Sequence, residues 1–231
     1  MRNLKRALSL ALALVMVLSM MVVGAGAVSI DDFTDADEIV NTEAVTTMVS
    51  LGVIDGNDDG SYNPTGVVKR GEMAKLIAVM LNGGKEPTLG QMTATFSDTV
   101  GHWAQNYITY VANLGIIDGR GDGTFDPEAE VTGYEFAKIV LAALGYGANG
   151  EFTGTNWALN TASYGTQVGI FSDSTDTTLN DAITREEAAL YAFNALTGAM
   201  TVSYSSTLDA YYSGTTPFAD IAEEDEYLYT L

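Results

Sequence analysis

The chain of 231 residues has no cysteine, a single histidine, four prolines, and only ten Lys+Arg against thirty Asp+Glu. Without cysteine there is no disulfide framework, no thiol nucleophile and no Cys-ligated metal. His102 has no second histidine, cysteine or serine elbow to complete a catalytic set, and it reads as a solvent-exposed first-turn residue. A formal charge of −20 repels polyphosphate, which excludes nucleic acid as a partner. No nucleophile motif or phosphate loop occurs, so the chain is read as non-enzymatic, with no cofactor and no metal implied. What is present is a 47% hydrophobic content, enough for a real core, and many glycines, which point to turn-rich connections.

Arg2, Lys5 and Arg6 precede an apolar run from Ala7 to Val23, and Ala25-Gly26-Ala27 has the small-residue form of a cleavage site. Residues 1–27 are therefore expected to be a secretory signal peptide, an uncleaved membrane anchor being the alternative. Cleavage leaves seven cations against thirty acids and no expected membrane association.

An internal repeat organises the rest. A shift of 63 residues places Phe33-Thr34-Asp35 on Phe96-Ser97-Asp98, Ile54-Asp55-Gly56 on Ile117-Asp118-Gly119, and Ala74-Lys75 on Ala137-Lys138. About sixteen identities fall in forty-nine ungapped positions, which requires duplication of one structural unit. A third, degenerate copy follows: Trp157 precedes Gly169 as Trp103 precedes Gly115, and Thr184-Arg185-Glu186-Glu187 aligns with Thr132-Gly133-Tyr134-Glu135. The expected segments are 28–88, 89–149 and 150–200, with 201–231 an acidic tail or the start of a truncated further region. Phe218-Ala219-Asp220 in that tail echoes the opening of a repeat.

Each unit reads as helix, loop, helix. Trp103, Tyr107, Val111 and Leu114 fall on one helical face, as do Val40, Ala44, Met48 and Leu51 in the first copy, and a glycine then supplies a left-handed stop. The second helix carries Phe136, Ile139, Val140 and Leu144, with Thr132 and Glu135 as a capping box that Thr184 and Glu187 repeat and Lys69 loses. A pair of about fifty residues cannot bury both stripes alone, so three units are expected to share a core.

Five of the seven later cations, Lys69, Arg70, Lys75, Lys138 and Arg185, lie at or just inside the start of a second helix. Cations oppose the macrodipole there, whereas anions are favoured by the dipole and by free N–H groups, so the placement suggests anion capture. Surface ion pairs of Arg70 and Arg185 with Glu72 or Glu187 are the alternative. For Trp103 and Trp157, core packing is favoured over stacking on sugar faces.

Phe96-x-Asp98, Trp103, Gly115-Ile116-Ile117-Asp118-Gly119, Asp122-Gly123-Thr124-Phe125-x-Pro127 and Thr184-Arg185-x-Glu187 together resemble the S-layer homology (SLH) domain. The resemblance extends over 33–81, with Val40 in the tryptophan position, and more loosely over 152–196. It implies an all-α fold of three helix-loop-helix repeats in a pseudo-threefold assembly. It also implies a function: non-covalent anchoring of an exported protein, at the bacterial cell wall or S-layer, through acidic, pyruvylated secondary polysaccharide on peptidoglycan. A cargo domain or S-layer lattice would be a further partner. By position, Arg70 and Arg185 would contact the anionic group and Asp35 and Asp98 the sugar hydroxyls. Gly52, Gly115 and Gly169 would leave room for the sugar ring, and Trp103 and Trp157 join the binding set. Gly133 stands where a third arginine is expected, and Thr153-Gly154 lacks the aspartate, so at most two competent grooves are expected.

Calcium is the alternative function. Asp55-Gly56-Asn57-Asp58-Asp59-Gly60 satisfies the opening of an EF-hand loop, a form shared with dockerin-like interaction modules. The closing ligand position is Gly66, and Arg120 takes a ligand position in the second copy.

Overall fold

A computed structural model describes residues 29–83, 85–175 and 178–214. The expected signal segment 1–27 and the Phe218-Ala219-Asp220 echo lie outside the described residues. Among those described, six α-helices come in sequence pairs: α1 (Thr42–Ser50) and α2 (Arg70–Leu81), α3 (Gln105–Asn113) and α4 (Gly133–Ala143), α5 (Trp157–Val168) and α6 (Arg185–Thr197). An antiparallel hairpin, β1 (Val202–Ser205) and β2 (Ala210–Ser213), follows them. The protein is thus mostly helical, and each of the three segments has its helix-loop-helix.

The helices paired in sequence are not the ones that pack most closely. α2 lies on α3, α4 on α5, and α6 returns to α1, so each second helix covers the first helix of the next segment. The reason lies in the short extended stretch before each second helix. Val68 N–H donates to Ile183 O (3.0 Å), Ile183 N–H to Val131 O (2.8 Å), and Val131 N–H to Val68 O (2.9 Å), closing a ring of three backbone hydrogen bonds. All three residues are buried, where an unpaired amide or carbonyl would be strongly unfavourable.

The ring sets where the second helices begin and what their first amides meet. Arg70 and Gly71 N–H donate to Ala129 O (2.9 Å) and Pro127 O (2.8 Å), Gly133 and Tyr134 N–H to Asp181 O (3.1 Å) and Leu179 O (2.9 Å), and Arg185 and Glu186 N–H to Gly66 O (2.7 Å) and Pro64 O (3.1 Å). Helix amides expected to be free for an anion are therefore already engaged by the neighbouring segment. Thr132 and Glu135 form the full capping box. At Thr184 only the hydroxyl half forms, because the Glu187 carboxylate turns to Ser174 Oγ (2.8 Å). Lys69 keeps the other half, its N–H donating to Glu72 (2.9 Å), since an ammonium has no acceptor to return.

The first-helix stripes are rotated from the expected ones. The buried positions of α3 and its start are Ala104, Ile108, Thr109 and Val111, while Trp103 is 55% exposed and Leu114 52%. Val40 precedes α1 and is 80% exposed, although Ala44 and Met48 are buried as expected. Helix α3 begins at Gln105, later than Trp103, and its inward face is centred one residue further on, about 100° around the axis. The hairpin after α6 falls in the segment 201–231 expected to be an acidic tail or the start of a further region. It is tied to the end of α4 by Val202 N–H to Leu144 O (2.8 Å) and by Tyr211, whose hydroxyl accepts from Gly147 N–H (3.1 Å) and donates to Glu151 (2.8 Å).

Val131→Pro removes one donor of the ring and leaves Val68 O without its partner. An unfolding free energy lower by about 3 kcal/mol or more is expected in urea denaturation, and an unchanged midpoint would contradict the ring's role.

Candidate functional site

Arg70 opens α2, yet its side chain belongs to the second segment. It is 5% exposed; Nε donates to Phe125 O (2.8 Å), an Nη donates to Asp118 O (3.0 Å), and the guanidinium carbon lies 4.3 Å over the Phe125 ring. Arg185, opening α6, does the same to the first segment. Its Nε donates to Tyr62 O (2.8 Å), an Nη to Asp55 O (2.7 Å), and its guanidinium stands 5.1 Å over the Tyr62 ring. A planar fork can hold two carbonyls and lie flat on a ring, which a lysine cannot do. Instead of ion pairs with Glu72 and Glu187, which sequence left open, carbonyls of another segment take the arginines. Burial holds the Arg70 pKa below the usual guanidinium value, and the nearby positive charge of Arg120 adds to the shift.

Asp35 and Asp98 pin the same two loops. Tyr62 and Asn63 N–H donate to Asp35 (both 2.7 Å), and Phe125 and Asp126 N–H donate to Asp98 (2.8 and 2.7 Å). Each carboxylate thus clamps two successive amides at a bend where Asn63 (φ 56°) and Asp126 (φ 62°) adopt the left-handed conformation. Desolvation alone would raise the Asp98 pKa, but the amides outweigh it and hold the carboxyl below its usual range.

The two arginines open onto two cavities built from equivalent residues. The larger, about 370 Å³, joins Arg70 of the first segment to Asp118, Gly119, Glu135 and Lys138 of the second and Trp157 of the third. The smaller, about 260 Å³, joins Arg185 of the third segment to Asp55, Gly56, Glu72 and Lys75 of the first and Trp103 of the second. Each cavity therefore draws on all three segments, with a guanidinium from one and an indole from another. Trp103, favoured for the core by its apolar spacing, is an exposed wall residue. Trp157 is half-buried, edge-on to Tyr134 at 6.1 Å, with Lys138 Nζ 5.9 Å from its ring centre.

Other residues are placed differently from the expected roles. Gly52, Gly115 and Gly169 take positive φ (68°, 73° and 86°) at the ends of first helices, as a left-handed stop requires, and none lines either cavity. Gly56 and Gly119 line them instead, and a Cβ there would stand 2.3 Å from Phe33 and 2.4 Å from Phe96. Their recurrence in the Asp-Gly pairs was the available signal. Thr153 and Gly154, noted for the missing aspartate, border the larger cavity. His102 is not the exposed residue expected: its side chain is 17% exposed, with Nε2 2.9 Å from Glu128 and Nδ1 accepting from Ala104 N–H.

The acids of the EF-hand-like loop have local partners. Asp55 pairs with Lys75 (2.7 Å), and Asp59 accepts from the Ser61 amide (3.0 Å) and hydroxyl (2.7 Å). Among the described residues no group of three acids or histidines converges as a metal site, and calcium is not favoured. Among the same residues no helix is long and apolar enough to cross a membrane.

The depressed Asp98 pKa has a defined pH signature. Its contribution to stability is complete above the ordinary carboxylate value near pH ~4 and is lost as pH falls through the lower folded value. Asp98→Asn cannot accept at both positions, so a loss of about 1–3 kcal/mol at pH 7 and a shallower acid decline in stability are expected from denaturation measured between pH 2 and 7.

The S-layer homology domain family model matches residues 32–74 and 95–137. Relatives include cell surface glycoprotein 1 of Acetivibrio thermocellus, 32% identical over 52% of this chain and 6% of that protein. A cell surface protein of Thermoanaerobacter kivui is 31% identical over 63% of this chain and 19% of its own. S-layer protein EA1 of Bacillus anthracis is 30% identical over 48% of this chain and 13% of its own. The chain thus spans less than a fifth of the length of these relatives. Its stretches 32–74 and 95–137 are two S-layer homology repeats, in a chain similar to cell-surface and S-layer proteins.

Proposed function

We propose that this chain anchors an exported protein to the bacterial cell wall or S-layer by holding acidic, pyruvylated secondary polysaccharide in its two cavities. The observation that carries the reading is the repetition of one residue set, arginine, lysine, glutamate and tryptophan, in two cavities drawn from three segments. Five of the seven cations after residue 27 line these cavities, so a strongly acidic body concentrates its positive charge where an anionic sugar would sit. The indoles offer flat apolar faces at the rims. No catalytic step is assigned to these residues.

On this reading the third segment is a worn SLH repeat, residues 1–27 are the export signal, and the segments are arranged about a pseudo-threefold axis, an arrangement supported by the closed hydrogen-bond ring. A third cavity is not expected. Gly133 stands in place of the arginine, Leu190 in place of the lysine and Val40 in place of the tryptophan, and Leu179 already packs where an arginine side chain would leave Gly133. Because the arginines hold the segments together, the indoles are the cleaner probes of binding.

The purified chain is expected to co-sediment with wall sacculi that retain their secondary polymer and to stay in solution with stripped sacculi. Trp103→Ala/Trp157→Ala should weaken retention several-fold, each ring contributing about 0.5–1.5 kcal/mol, with the helical circular dichroism unchanged. Equal retention on stripped sacculi would overturn the reading.

A further inference from the structure

The two cavities match in position but not in charge. In the larger one Arg70, Arg120 and Lys138 face Asp118 and Glu135; in the smaller one Arg185 and Lys75 face Asp55 and Glu72. The position of Arg120 is taken by Asn57 in the smaller cavity, where the side-chain amide is turned to Ser61 Oγ (3.0 Å). The lysines differ as well. Lys75 Nζ is neutralised by Asp55 at 2.7 Å, whereas Lys138, among the described residues, makes no ion pair and faces the Trp157 ring. Arg120 is ion-paired with Asp126 at 3.7 Å and Glu135 at 3.6 Å, both beyond hydrogen-bond length, so neither carboxylate occupies its N–H donors.

Two guanidinium groups and an ammonium therefore converge on one cavity, none of them hydrogen-bonded to a carboxylate. Convergent like charges repel, and the arrangement becomes favourable when an anion enters between them. We infer that the cavity of Arg70, Arg120 and Lys138 selects a saccharide unit bearing two negative charges, while the cavity of Arg185 and Lys75 takes a singly charged unit. Arg120 is the specificity-determining residue. The inference rests on the polysaccharide reading of both cavities and adds to it that they are not interchangeable.

The chain has two tryptophans, one at each cavity, so indole N–H signals in nitrogen-15 NMR report the sites separately. The full chain, in a mild detergent, is titrated with a hexosamine glycoside bearing one 4,6-pyruvyl carboxylate and with the same glycoside carrying an added 3-O-sulfate. The first probe should move both indoles at similar concentrations. The second should bind at Trp157 about tenfold tighter than at Trp103, the scale of one additional charged hydrogen bond. Arg120→Asn should erase that gap while leaving Trp103 unchanged, and Asn57→Arg should bring Trp103 towards the Trp157 affinity, a gain that misfolding cannot imitate. Equal preference at the two indoles, or a gap that survives Arg120→Asn, overturns this inference and leaves the polysaccharide reading standing. No response of either indole to either probe overturns both.

Discussion

The ring of hydrogen bonds through Val68, Val131 and Ile183 is the constraint on which the other features depend. Each of its residues donates to one segment and accepts from another, so no segment can satisfy its own buried backbone alone. The ring brings the starts of all three second helices together, and the first two amides of each helix then find carbonyls on the adjacent loop. From there α2, α4 and α6 have one place to bury their apolar faces, on the first helix of the neighbouring segment. The cavities follow, because the second residue after each ring residue is the one that reaches across.

At two of the three junctions that residue is an arginine locked onto loop carbonyls and an aromatic ring, and at the third it is Gly133. The third junction is closed by the Gly133 and Tyr134 amides on Asp181 O and Leu179 O and by Tyr134 packed edge-on to Trp157. The Arg185 junction has a second tie: Glu186, nearly buried, accepts from the amides of Val40 and Asn41 ahead of α1. Leu179 fills the space beside Gly133 with apolar surface. Structural closure is thus kept at every junction, while the charged cavity is present at only two. The arginines serve both purposes: two N–H groups fix the loop, and the remaining edge lines the cavity.

Features set by nearest neighbours were legible in the sequence. The positive φ of Gly52, Gly115 and Gly169, the Thr132–Glu135 box and the buried Ala44 and Met48 all depend on residues within a turn or two, and spacing reports such relations. The partners of Arg70 and Arg185 lie 48 to 130 residues away, and no local pattern distinguishes a guanidinium held by a distant carbonyl from one in a surface pair. The same limit explains Asp35 and Asp98, whose clamps on amides 27 and 28 residues on carry no periodic signal. Trp103 misled for another reason: apolar spacing cannot tell a core residue from one on the wall of a cavity when both lie near the same helical face.

Hydrogen exchange at the amides of Val68, Val131 and Ile183 tests the closed ring most directly. If the three bonds form one closed unit, these amides exchange only through global unfolding and show the same protection. Exchange at Val68 orders of magnitude faster than at Val131 would mean that the ring opens between the first and third segments, and at Ile183 between the second and third; either would contradict the account of how the cavities are built.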